Sequence, residues 1–239
     1  MIVAVIPARG GSKRIHGKNT RLFCGVPMIS YSIHAAGAAG IFDRIIVSTD
    51  CHKIAKIARN AGAEVPFIRP AEISDDYTPT IPVIRHAIEA LETERTSIDF
   101  ACCIYATAPF VTANNIKRAL DILREAPSAD FSFPITTFSF PIFRSLKHEG
   151  NFIKPIYPEH EMTRSQDLPE AYHDAGQFYW GRAEAWKQRE RLYSGNAIGL
   201  KIPRHRVQDI DTPEDWVLAE KMFKAETIPP EKQARQKGS

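Results

Sequence analysis

Short apolar runs rich in β-branched residues alternate with segments of helical spacing along the first half of the chain. This alternation predicts βαβ units, and therefore an α/β fold with a mostly parallel twisted sheet and flanking helices. The predicted strands are 2–6, 44–49, 65–68, 100–105 and 129–133. The predicted helices are 27–39, 54–61, 82–91 and a further one that begins at the capping residue Thr112.

Three loops of this predicted sheet are expected to meet at one edge. In sheets of this class, ligands bind beyond the carboxyl ends of the strands. The loop after the first strand, Asp50 after the second and the turn Thr107-Ala108-Pro109 after the fourth all follow strand ends. The topology therefore predicts a ligand site built from these three segments.

The pattern changes after Phe133, where prolines and interleaved aromatics replace the strand–helix alternation as far as Ala171. We interpret residues from about 134 to 170 as an arm that serves dimerisation, inserted in a domain of residues 1–226. Strand-like patterns return at 177–181 and 197–202, and Thr212-Pro213 predicts the start of a last helix. Residues 227–239 are polar and predict a flexible tail.

Charge and cysteine content narrow the class of protein. The formal net charge is +3 with the cations spread along the chain, so nucleic-acid binding is not predicted. The four cysteines show neither zinc-site spacing nor a disulfide framework, and we expect a reducing, cytoplasmic environment. The sequence contains no recognisable signal peptide or transmembrane run, so no membrane partner is expected.

A basic loop with two glycines directly follows the first strand and runs Pro7-Ala8-Arg9-Gly10-Gly11-Ser12-Lys13-Arg14. Glycines allow backbone N–H groups to approach an anion closely. Four cations fall within ten residues, namely Arg9, Lys13, Arg14 and Lys18. A triphosphate needs this combination of donors and charge, although the spacing is neither Walker A nor Gly-x-Gly-x-x-Gly. The alternative interpretation is a basic surface loop without a ligand.

Two carboxylates, Asp209 and Asp211, lie two residues apart shortly before the last predicted helix. Side chains at i and i+2 of an extended segment share a face, and neighbouring carboxylates repel unless a cation lies between them. Mg²⁺ is typically bound by one or two carboxylates together with substrate phosphates. The pair therefore predicts Mg²⁺ as cofactor. The alternative is that Asp211 or Thr212 simply caps the following helix.

Several segments of the chain form a combination that is specific to one family, namely Ile6 to Lys13, Lys18-Asn19, Ile46 to Asp50, Arg69-Pro70-Ala71-Glu72, Thr107-Ala108-Pro109 and Asp209 to Asp215. In combination they resemble the CMP-sialic acid synthetase family of cytidylyltransferases, over residues 2 to about 223. The resemblance implies a Rossmann-like nucleotidyltransferase fold and transfer of CMP from CTP to the anomeric 2-hydroxyl of an acidic nine-carbon sugar. It also implies a homodimer whose arm reaches into the partner's active site. His16 and Ala106 depart from the family pattern, which usually has proline at both positions.

Within that family the chain is most similar to the pseudaminic acid branch. The segment 171–181 carries Gln177-Phe178-Tyr179, where sialic acid enzymes have an Asn-Gly-Ala-Ile-Tyr type sequence. Tyr105 stands where those enzymes typically have glutamine, and Arg85-His86-Ala87 is also typical of the pseudaminic branch. The resemblance therefore implies pseudaminic acid as acceptor, with N-acetylneuraminic or legionaminic acid as the alternative.

The resemblance also implies roles for individual residues. The nucleotide-binding set is Ala8, Arg9, Gly10, Gly11, Ser12, Lys13, Lys18, Asn19, Arg69 and Thr80. Within it, Asn19 and Arg69 would recognise cytosine, because an amide both donates and accepts and a guanidinium donates to carbonyl oxygens. The sugar-binding set is Tyr105, Arg164, His173, Asp174, Gln177 and Tyr179. The catalytic set is Arg9, Lys13, Asp209 and Asp211, of which the two aspartates would hold Mg²⁺.

Two further expectations concern the sugar and the chemical step. Arg164 would bind the sugar carboxylate through two parallel hydrogen bonds, and Lys147 is a weaker candidate for the same role. The sequence assigns no general base. A metal-bound hydroxide or a metal-held sugar hydroxyl would remove the need for one.

Functions from two other classes remain open on the sequence. A non-catalytic nucleotide-binding protein would share the fold, but such a protein would have little reason to keep both Asp209 and Asp211. An NAD-dependent dehydrogenase would place a ribose-binding acid where Asp50 ends the second strand. The loop lacks the Gly-x-Gly-x-x-Gly spacing that such an enzyme uses.

Overall fold

The computed structural model describes residues 1–93, 96–193 and 196–227. Its strands are β1 (Ile2–Pro7), β2 (Leu22–Phe23), β3 (Val26–Pro27), β4 (Arg44–Ser48), β5 (Phe100–Ile104), β6 (Phe131–Thr137), β7 (Leu146–Glu149), β8 (Phe152–Pro155), β9 (Tyr172–Asp174), β10 (Phe178–Arg182) and β11 (Ala197–Lys201). Its α-helices are α1 (Met28–Ala39), α2 (His52–Asn60), α3 (Thr80–Leu91), α4 (Ala113–Glu125), α5 (Ala183–Gln188) and α6 (Pro213–Thr227). Short 3₁₀ turns are Ala71–Ile73, Ile142–Arg144, Pro158–His160, Ser165–Asp167 and Arg204–Arg206.

A mixed seven-stranded sheet forms the centre of the molecule, in the order β11-β6-β10-β5-β1-β4 with β9 paired to β6. β1 pairs in parallel with β4 and β5, and β11 pairs in parallel with β6. β10 is inserted antiparallel between β5 and β6, and β9 runs antiparallel to β6. Within the described residues, five of the seven strands therefore run in one direction. This arrangement confirms the predicted α/β class.

Alternating side chains of β1 separate two hydrophobic layers. Ala4 and Ile6 pack in the layer that contains α1, α2 and α4, whereas Val3 and Val5 pack in the layer that contains α3 and α5. All of these side chains are fully buried, as expected for the central strand of a sheet covered by helices on both faces. The two layers hold the carboxyl ends of β1, β4 and β5 along one edge.

Local sequence determines several helix boundaries as predicted. Gly40 ends α1 in the left-handed conformation with φ 60°. At the start of α4, Oγ1 of Thr112 accepts a hydrogen bond from the Asn115 N–H at 3.2 Å. At the start of α6, Oγ1 of Thr212 accepts from the Asp215 N–H at 3.2 Å, and Oδ2 of Asp215 accepts from the Thr212 N–H at 2.8 Å. This is a reciprocal capping box.

The predicted strand at residues 65–68 is wrong. The structure has only an isolated bridge nearby, between Ile46 and Glu64. Pro66 has no N–H and cannot continue a ladder of hydrogen bonds. The next contact with the sheet is the Arg69 N–H, which donates to the Thr49 carbonyl at 2.8 Å. This hydrogen bond brings Arg69 to the carboxyl edge of the sheet.

Residues 138–171 leave the central sheet and contain the separate hairpin β7–β8. Most residues of the hairpin are exposed. Large apolar side chains that stay exposed in this segment are Phe140, Leu146, Phe152, Ile153, Ile156 and Met162. The arm predicted for this region thus carries an apolar surface toward solvent in the isolated chain.

Helix α6 is the last described element, so residues 228–239 of the predicted tail lie outside the described part of the chain. Among the helices that the structure describes, none combines the length and apolar character needed to cross a membrane.

Candidate active site

A cleft opens at the carboxyl edge of the sheet, where the loops after β1, β4 and β5 converge. The N–H of Gly10, in the loop after β1, donates to Oδ1 of Asp50, which follows β4, at 2.8 Å. Thr107, in the turn after β5, lies in the wall of the cleft. We call this the basic cleft, and its charged and polar lining includes Arg9, Ser12, Lys13, Arg14, Lys18, Asn19, Arg69, Asp76, Thr80 and Asp211.

The basic loop is packed closely against the edge of the sheet. The Ala8 N–H donates to the Ser48 carbonyl at 2.9 Å and so extends the pairing of β1 with β4. A Cβ added at Gly10 would lie 3.0 Å from the Cβ of Cys51, so any side chain there would push the loop away from α2. The N–H groups of Ala8 and Gly10 are therefore used within the protein. Contrary to expectation, side-chain charges rather than these two donors face the cleft.

Arg9 and Lys13 share one carboxylate across the basic cleft. Both form ion pairs with Asp76, which belongs to the segment before α3. Hydrogen bonds from Lys13 and Arg9 hold the pKa of Asp76 below its usual value. The carboxylate is thus ionised at neutral pH and pairs with Arg9 and Lys13, the side chains of the loop that are expected to bind an anion.

The inner part of the cleft carries polar side chains that are themselves buried. Asn19 and Arg69 are only 7% and 4% exposed. Nδ2 of Asn19 donates to the Arg9 carbonyl at 2.9 Å, which ties this amide to the loop. Oγ1 of Thr80 and the Tyr105 hydroxyl are hydrogen-bonded at 3.0 Å. Burial lowers the pKa of Arg69. Buried guanidinium and amide groups at the wall of a cleft suit a planar polar ring.

The acidic pair lies beside the other two cations of the loop. Oδ2 of Asp211 is 2.6 Å from Nη1 of Arg14, and its Oδ1 is 3.2 Å from Nζ of Lys18. Burial raises the pKa of Asp209, and the negative charge of Asp211 raises it further. Burial and the neighbouring carboxylate thus make the ionised form of Asp209 less favourable than usual, and a cation placed close to the pair would favour it.

Helix capping does not account for the acidic pair. Thr212 and Asp215 form the capping box of α6, and the Asp211 N–H also donates to Oδ2 of Asp215 at 3.1 Å. The carboxylate of Asp211 takes no part in this arrangement and points instead to the loop cations. The alternative that Asp211 caps the helix is therefore wrong, whereas Thr212 does act as a cap.

A second cavity adjoins the basic cleft and shares Tyr105 and Thr107 with it. We call it the acidic cavity, and its other lining residues are His173, Asp174, Ala175, Gly176, Tyr179, Val207, Gln208 and Asp209. The rings of Tyr105 and Tyr179 lie with centroids 5.2 Å apart. The acidic pair therefore spans both cavities, with Asp209 in this wall and Asp211 in the wall of the basic cleft.

Asp174 organises one side of the acidic cavity. Its Oδ2 accepts hydrogen bonds from the hydroxyls of Tyr179 and Tyr193, both at 2.5 Å, and its Oδ1 accepts from the Gly176 N–H at 2.8 Å. Burial raises the pKa of Tyr179, and the nearby Tyr105 and Asp174 add to this. The hydroxyls of Tyr179 and Tyr193 therefore stay protonated and donate their hydrogens to Asp174. Among the described residues that line this cavity, none is a lysine or an arginine.

The family model described as Cytidylyltransferase matches residues 3–212. The chain belongs to the cytidylyltransferase family. The predicted class of enzyme, a CTP-dependent nucleotidyltransferase, is thereby confirmed, and an NAD-dependent dehydrogenase finds no support.

Two curated relatives of this cytidylyltransferase have names that refer to pseudaminic acid and to N,N'-diacetyllegionaminic acid. A pseudaminic acid cytidylyltransferase of Campylobacter jejuni subsp. jejuni is 40% identical over 223 residues, which cover 93% of this chain and 96% of the relative. A CMP-N,N'-diacetyllegionaminic acid synthase of Legionella pneumophila is 31% identical over 230 residues, which cover 93% of this chain and 96% of the relative.

Solved structures agree with the fold of the cytidylyltransferase. CMP:2-keto-3-deoxy-manno-octonic acid synthetase complexed with CTP matches with a TM-score of 0.69 at 16% identity, over 94% of this chain and 99% of that one. A 4-diphosphocytidyl-2C-methyl-D-erythritol synthase from Anaerococcus prevotii matches with a TM-score of 0.62 at 13% identity, over 93% of this chain and 98% of that one. The likeness confirms the predicted nucleotidyltransferase fold.

Most predicted site residues of the cytidylyltransferase do lie together. The nucleotide-binding residues in the wall of the basic cleft are Arg9, Ser12, Lys13, Lys18, Asn19, Arg69 and Thr80. The sugar-binding residues in the wall of the acidic cavity are Tyr105, His173, Asp174 and Tyr179. Ala8, Gly10 and Gly11 belong to the loop that supports the cleft rather than to its lining.

Two predicted sugar contacts do not reach either cavity within one chain. Arg164 lies in the arm, where its side chain is 72% exposed and its Nε is 2.7 Å from Oδ2 of Asp167. Gln177 is 3% exposed, and its Nε2 donates to the Arg206 carbonyl at 2.5 Å. Nε2 of Gln177 is thus used inside the protein, whereas its Oε1 is buried without a hydrogen-bond partner among the described residues. The role assigned to Arg164 would require a second copy of the chain.

Sequence reasoning missed Asp76 and Tyr193. Asp76 is remote in sequence from the loop that it contacts, and its one visible sign is the pair Asp75-Asp76 shortly before α3. Tyr193 reaches Asp174 from the segment between α5 and β11, and no pattern in the sequence marks it. Both contacts depend on loop conformation.

Proposed function

We propose that the enzyme transfers CMP from CTP to the anomeric 2-hydroxyl of pseudaminic acid and releases pyrophosphate. The observation that carries this proposal is the continuity of the basic cleft and the acidic cavity through Tyr105 and Thr107. Nucleotidyl transfer needs adjoining sites, so that the acceptor hydroxyl lies beside the α-phosphate. Similarity over nearly the full chain to a protein named pseudaminic acid cytidylyltransferase supports the choice of acceptor.

CTP would lie in the basic cleft with its phosphates toward the loop and its cytosine toward Asn19 and Arg69. Arg9, Lys13 and Lys18 would offset the charge that develops as pyrophosphate leaves. The hydrogen bonds of Ala8 to β4 and of Gly10 to Asp50 hold the backbone of the loop at Arg9 in place before the substrate arrives. Such preorganisation favours the transition state, because little rearrangement is needed during the reaction.

The sugar would occupy the acidic cavity, with Tyr105 and Tyr179 as aromatic walls. Aromatic walls suit a deoxygenated sugar with acetamido groups better than a fully hydroxylated one. Because the Tyr179 hydroxyl donates to Asp174, its oxygen keeps lone pairs for N–H or O–H groups of the sugar. The 2-hydroxyl would then attack the α-phosphorus near Asp209, where the two cavities meet.

We propose Mg²⁺ as cofactor, held by Asp209 and Asp211. The raised pKa of Asp209, caused by burial and by Asp211, indicates a site that favours a nearby cation. Among the described residues, no group of three or more metal-binding side chains occurs, so substrate phosphates would complete the coordination. Bound there, Mg²⁺ would neutralise charge on the phosphates during transfer.

We propose a homodimer in which the arm completes the site of the neighbouring copy. The exposed apolar side chains of the arm need a partner surface. The acidic cavity has Asp174 and Asp209 in its wall but neither lysine nor arginine among its described lining residues. An acidic sugar needs a cation for its carboxylate, and the arm presents the exposed Arg164 and Lys147.

A cytoplasmic location is part of the proposal. The four cysteines of the chain are free, and a reducing compartment suits buried thiols such as Cys102 and Cys103. Neither nucleic acid nor a membrane is proposed as a partner.

The test is pyrophosphate release from CTP and Mg²⁺ with pseudaminic, N-acetylneuraminic and N,N'-diacetyllegionaminic acids in separate reactions. We expect release with pseudaminic acid and little with the other two. Turnover mainly with another acid would keep the reaction and overturn the acceptor. Absence of release with all three, in protein that still binds CTP, would overturn the proposed transfer and favour a non-catalytic binder.

A further inference from the structure

A short acidic strap, residues 71–79, begins with the turn Ala71–Ile73, leads into α3 and forms part of the wall of the basic cleft. Hydrogen bonds hold the strap on both sides of Asp76. Nε of Arg69 donates to Oγ of Ser74 at 3.1 Å, and Oδ1 of Asp75 accepts from the Thr78 N–H at 2.7 Å. The strap therefore has a defined path, and this path directs Asp76 into the cleft.

Asp76 is the contact between the strap and the basic loop. Its carboxylate pairs with Arg9 through Oδ1 and with Lys13 through Oδ2. The Asp76 side chain is 27% exposed, whereas that of Lys13 is 80% exposed. Lys13 thus reaches into open space toward the strap, and the carboxylate holds it there.

We infer that Asp76 is an internal counter-ion, which the phosphates of the nucleotide displace and which regains its cations as pyrophosphate leaves. The inference rests on the proposed nucleotide site. Carboxylate and phosphate oxygens compete for the same guanidinium and ammonium donors, so Arg9 and Lys13 cannot serve both fully. The strap keeps the displaced charge nearby, where it repels the phosphates.

Asp76 is therefore a positioning residue rather than a catalytic one. It keeps Arg9 and Lys13 extended into the cleft when no phosphate is bound, and it weakens the binding of both CTP and pyrophosphate. An interaction that weakens substrate and product alike changes KM and product release more than the chemical step. Its effect on turnover is faster release of pyrophosphate.

The experiment measures binding of inorganic pyrophosphate by titration calorimetry to the wild type, Asp76→Asn and Asp76→Glu. The matched control is Glu72→Gln, which removes the same charge from the same strap at an exposed position outside the lining of the cleft. We expect Asp76→Asn to bind pyrophosphate about three- to tenfold more tightly, as two partly exposed ion pairs allow. Asp76→Glu and Glu72→Gln are expected to stay within about twofold of the wild type.

Two further readouts separate a counter-ion from a structural role. The difference between wild type and Asp76→Asn should shrink at high ionic strength, because the competing charges are near the surface. The KM for CTP should fall in Asp76→Asn together with the dissociation constant of pyrophosphate.

Unchanged or weaker pyrophosphate binding by Asp76→Asn would overturn the inference. So would an increased Mg²⁺ requirement in this variant, because that would make Asp76 a metal ligand. Failure of the wild type to bind either CTP or pyrophosphate is a distinct result, which would overturn the nucleotide site itself.

Discussion

The pairing of Asp211 with Arg14 and Lys18 joins two remote parts of the sequence into one charged unit. The sequence showed the cations in one segment and the acids in another, because each set is local in the chain. The contact between the two sets depends on α6 and the basic loop lying side by side, which only the folded chain establishes. Removal of one charge should therefore affect the whole unit.

We expect Asp211→Asn to lower kcat by at least about 100-fold at saturating CTP and sugar, because charge neutralisation by Mg²⁺ contributes several kcal/mol to such transfers. The substitution keeps the size of the side chain and leaves the backbone hydrogen bond to Asp215 intact. The measurement is initial rate of pyrophosphate release over a range of Mg²⁺ concentrations.

The control for this variant is Glu214→Gln, which removes a nearby exposed charge outside both cavities. It should keep nearly normal turnover. Wild-type turnover of Asp211→Asn at saturating Mg²⁺ would show that Asp211 does not hold the metal.

At the scale of the elements, the end of α3 is tied to α5 by Glu92 and Lys187, whose Oε2 and Nζ are 2.8 Å apart. The Ile98 N–H also donates to Oε1 of Glu92, at 3.2 Å. Burial raises the pKa of Glu92, but these hydrogen bonds outweigh burial and leave the pKa below its usual value. A carboxylate whose pKa is lowered in the folded state stabilises the protein at pH values above its ordinary pKa. This stabilisation is lost as the pH falls through the pKa of the folded state.

We expect Glu92→Gln to lower the free energy of unfolding by about 1 kcal/mol at pH 7. The difference from wild type should shrink as the pH falls below the ordinary glutamate pKa of about 4.3 and through the lowered folded-state value. Urea denaturation at several pH values measures this. The control is Glu190→Gln, whose carboxylate is 81% exposed beside Arg85 and should matter little. A gap between wild type and Glu92→Gln that stays constant from pH 7 to pH 3 would contradict the ionic explanation.

Strand β10 approaches buried rings at Gly181. A Cβ at this position would lie 2.5 Å from Nε1 of Trp186 and 2.7 Å from Cδ1 of Phe131. Trp186 has no freedom to move away, since its Nε1 donates to the Ala101 carbonyl at 3.0 Å. We expect Gly181→Ala to lower the free energy of unfolding by about 1–3 kcal/mol, measured by chemical denaturation.

The matched control for this prediction is Gly37→Ala in α1. There the nearest atom to an added Cβ is Cδ1 of Ile45 at 4.0 Å, so the change fits. Alanine in a helix interior should be neutral or stabilise by up to about 1 kcal/mol. Equal changes in the free energy of unfolding for the two substitutions would contradict the steric explanation of the effect at Gly181.

Element boundaries illustrate where sequence patterns succeed and where they fail. The cap residues Gly40, Thr112 and Thr212 act through neighbours in the same segment, so their effect could be predicted. The strand expected at residues 65–68 failed because its pairing depends on β4, and Pro66 interrupts the ladder. Apolar content alone does not decide whether such a run forms a strand.

For the whole molecule, the arm leads to a prediction about assembly. We expect the protein, 26.8 kDa per chain, to be a dimer in solution, and Phe152→Asp in the arm to raise its dissociation constant at least about tenfold. The side chain of Phe152 is 73% exposed in the single chain and is suited to an interface. Light scattering coupled to size-exclusion chromatography measures the mass.

The control for the arm is Val217→Asp, which places the same charge on an exposed apolar position of α6. It should leave the mass unchanged. If the arm completes the acidic cavity of a neighbouring copy, Phe152→Asp should also raise the KM for the sugar while CTP still binds. A wild type that is monomeric and fully active would refute the shared site.

Local patterns were sufficient to predict the α/β class, the position of the basic loop after β1 and the acidic pair before α6. These features could be predicted because periodicity, glycine and charge content, and capping are properties of contiguous segments. The packing of the folded chain, by contrast, pairs Asp76 with the loop cations, joins Asp174 to two tyrosine hydroxyls and leaves Arg164 exposed in the arm. Such contacts join residues far apart in the chain, and their geometry follows from how loops pack against the sheet, which no local pattern encodes.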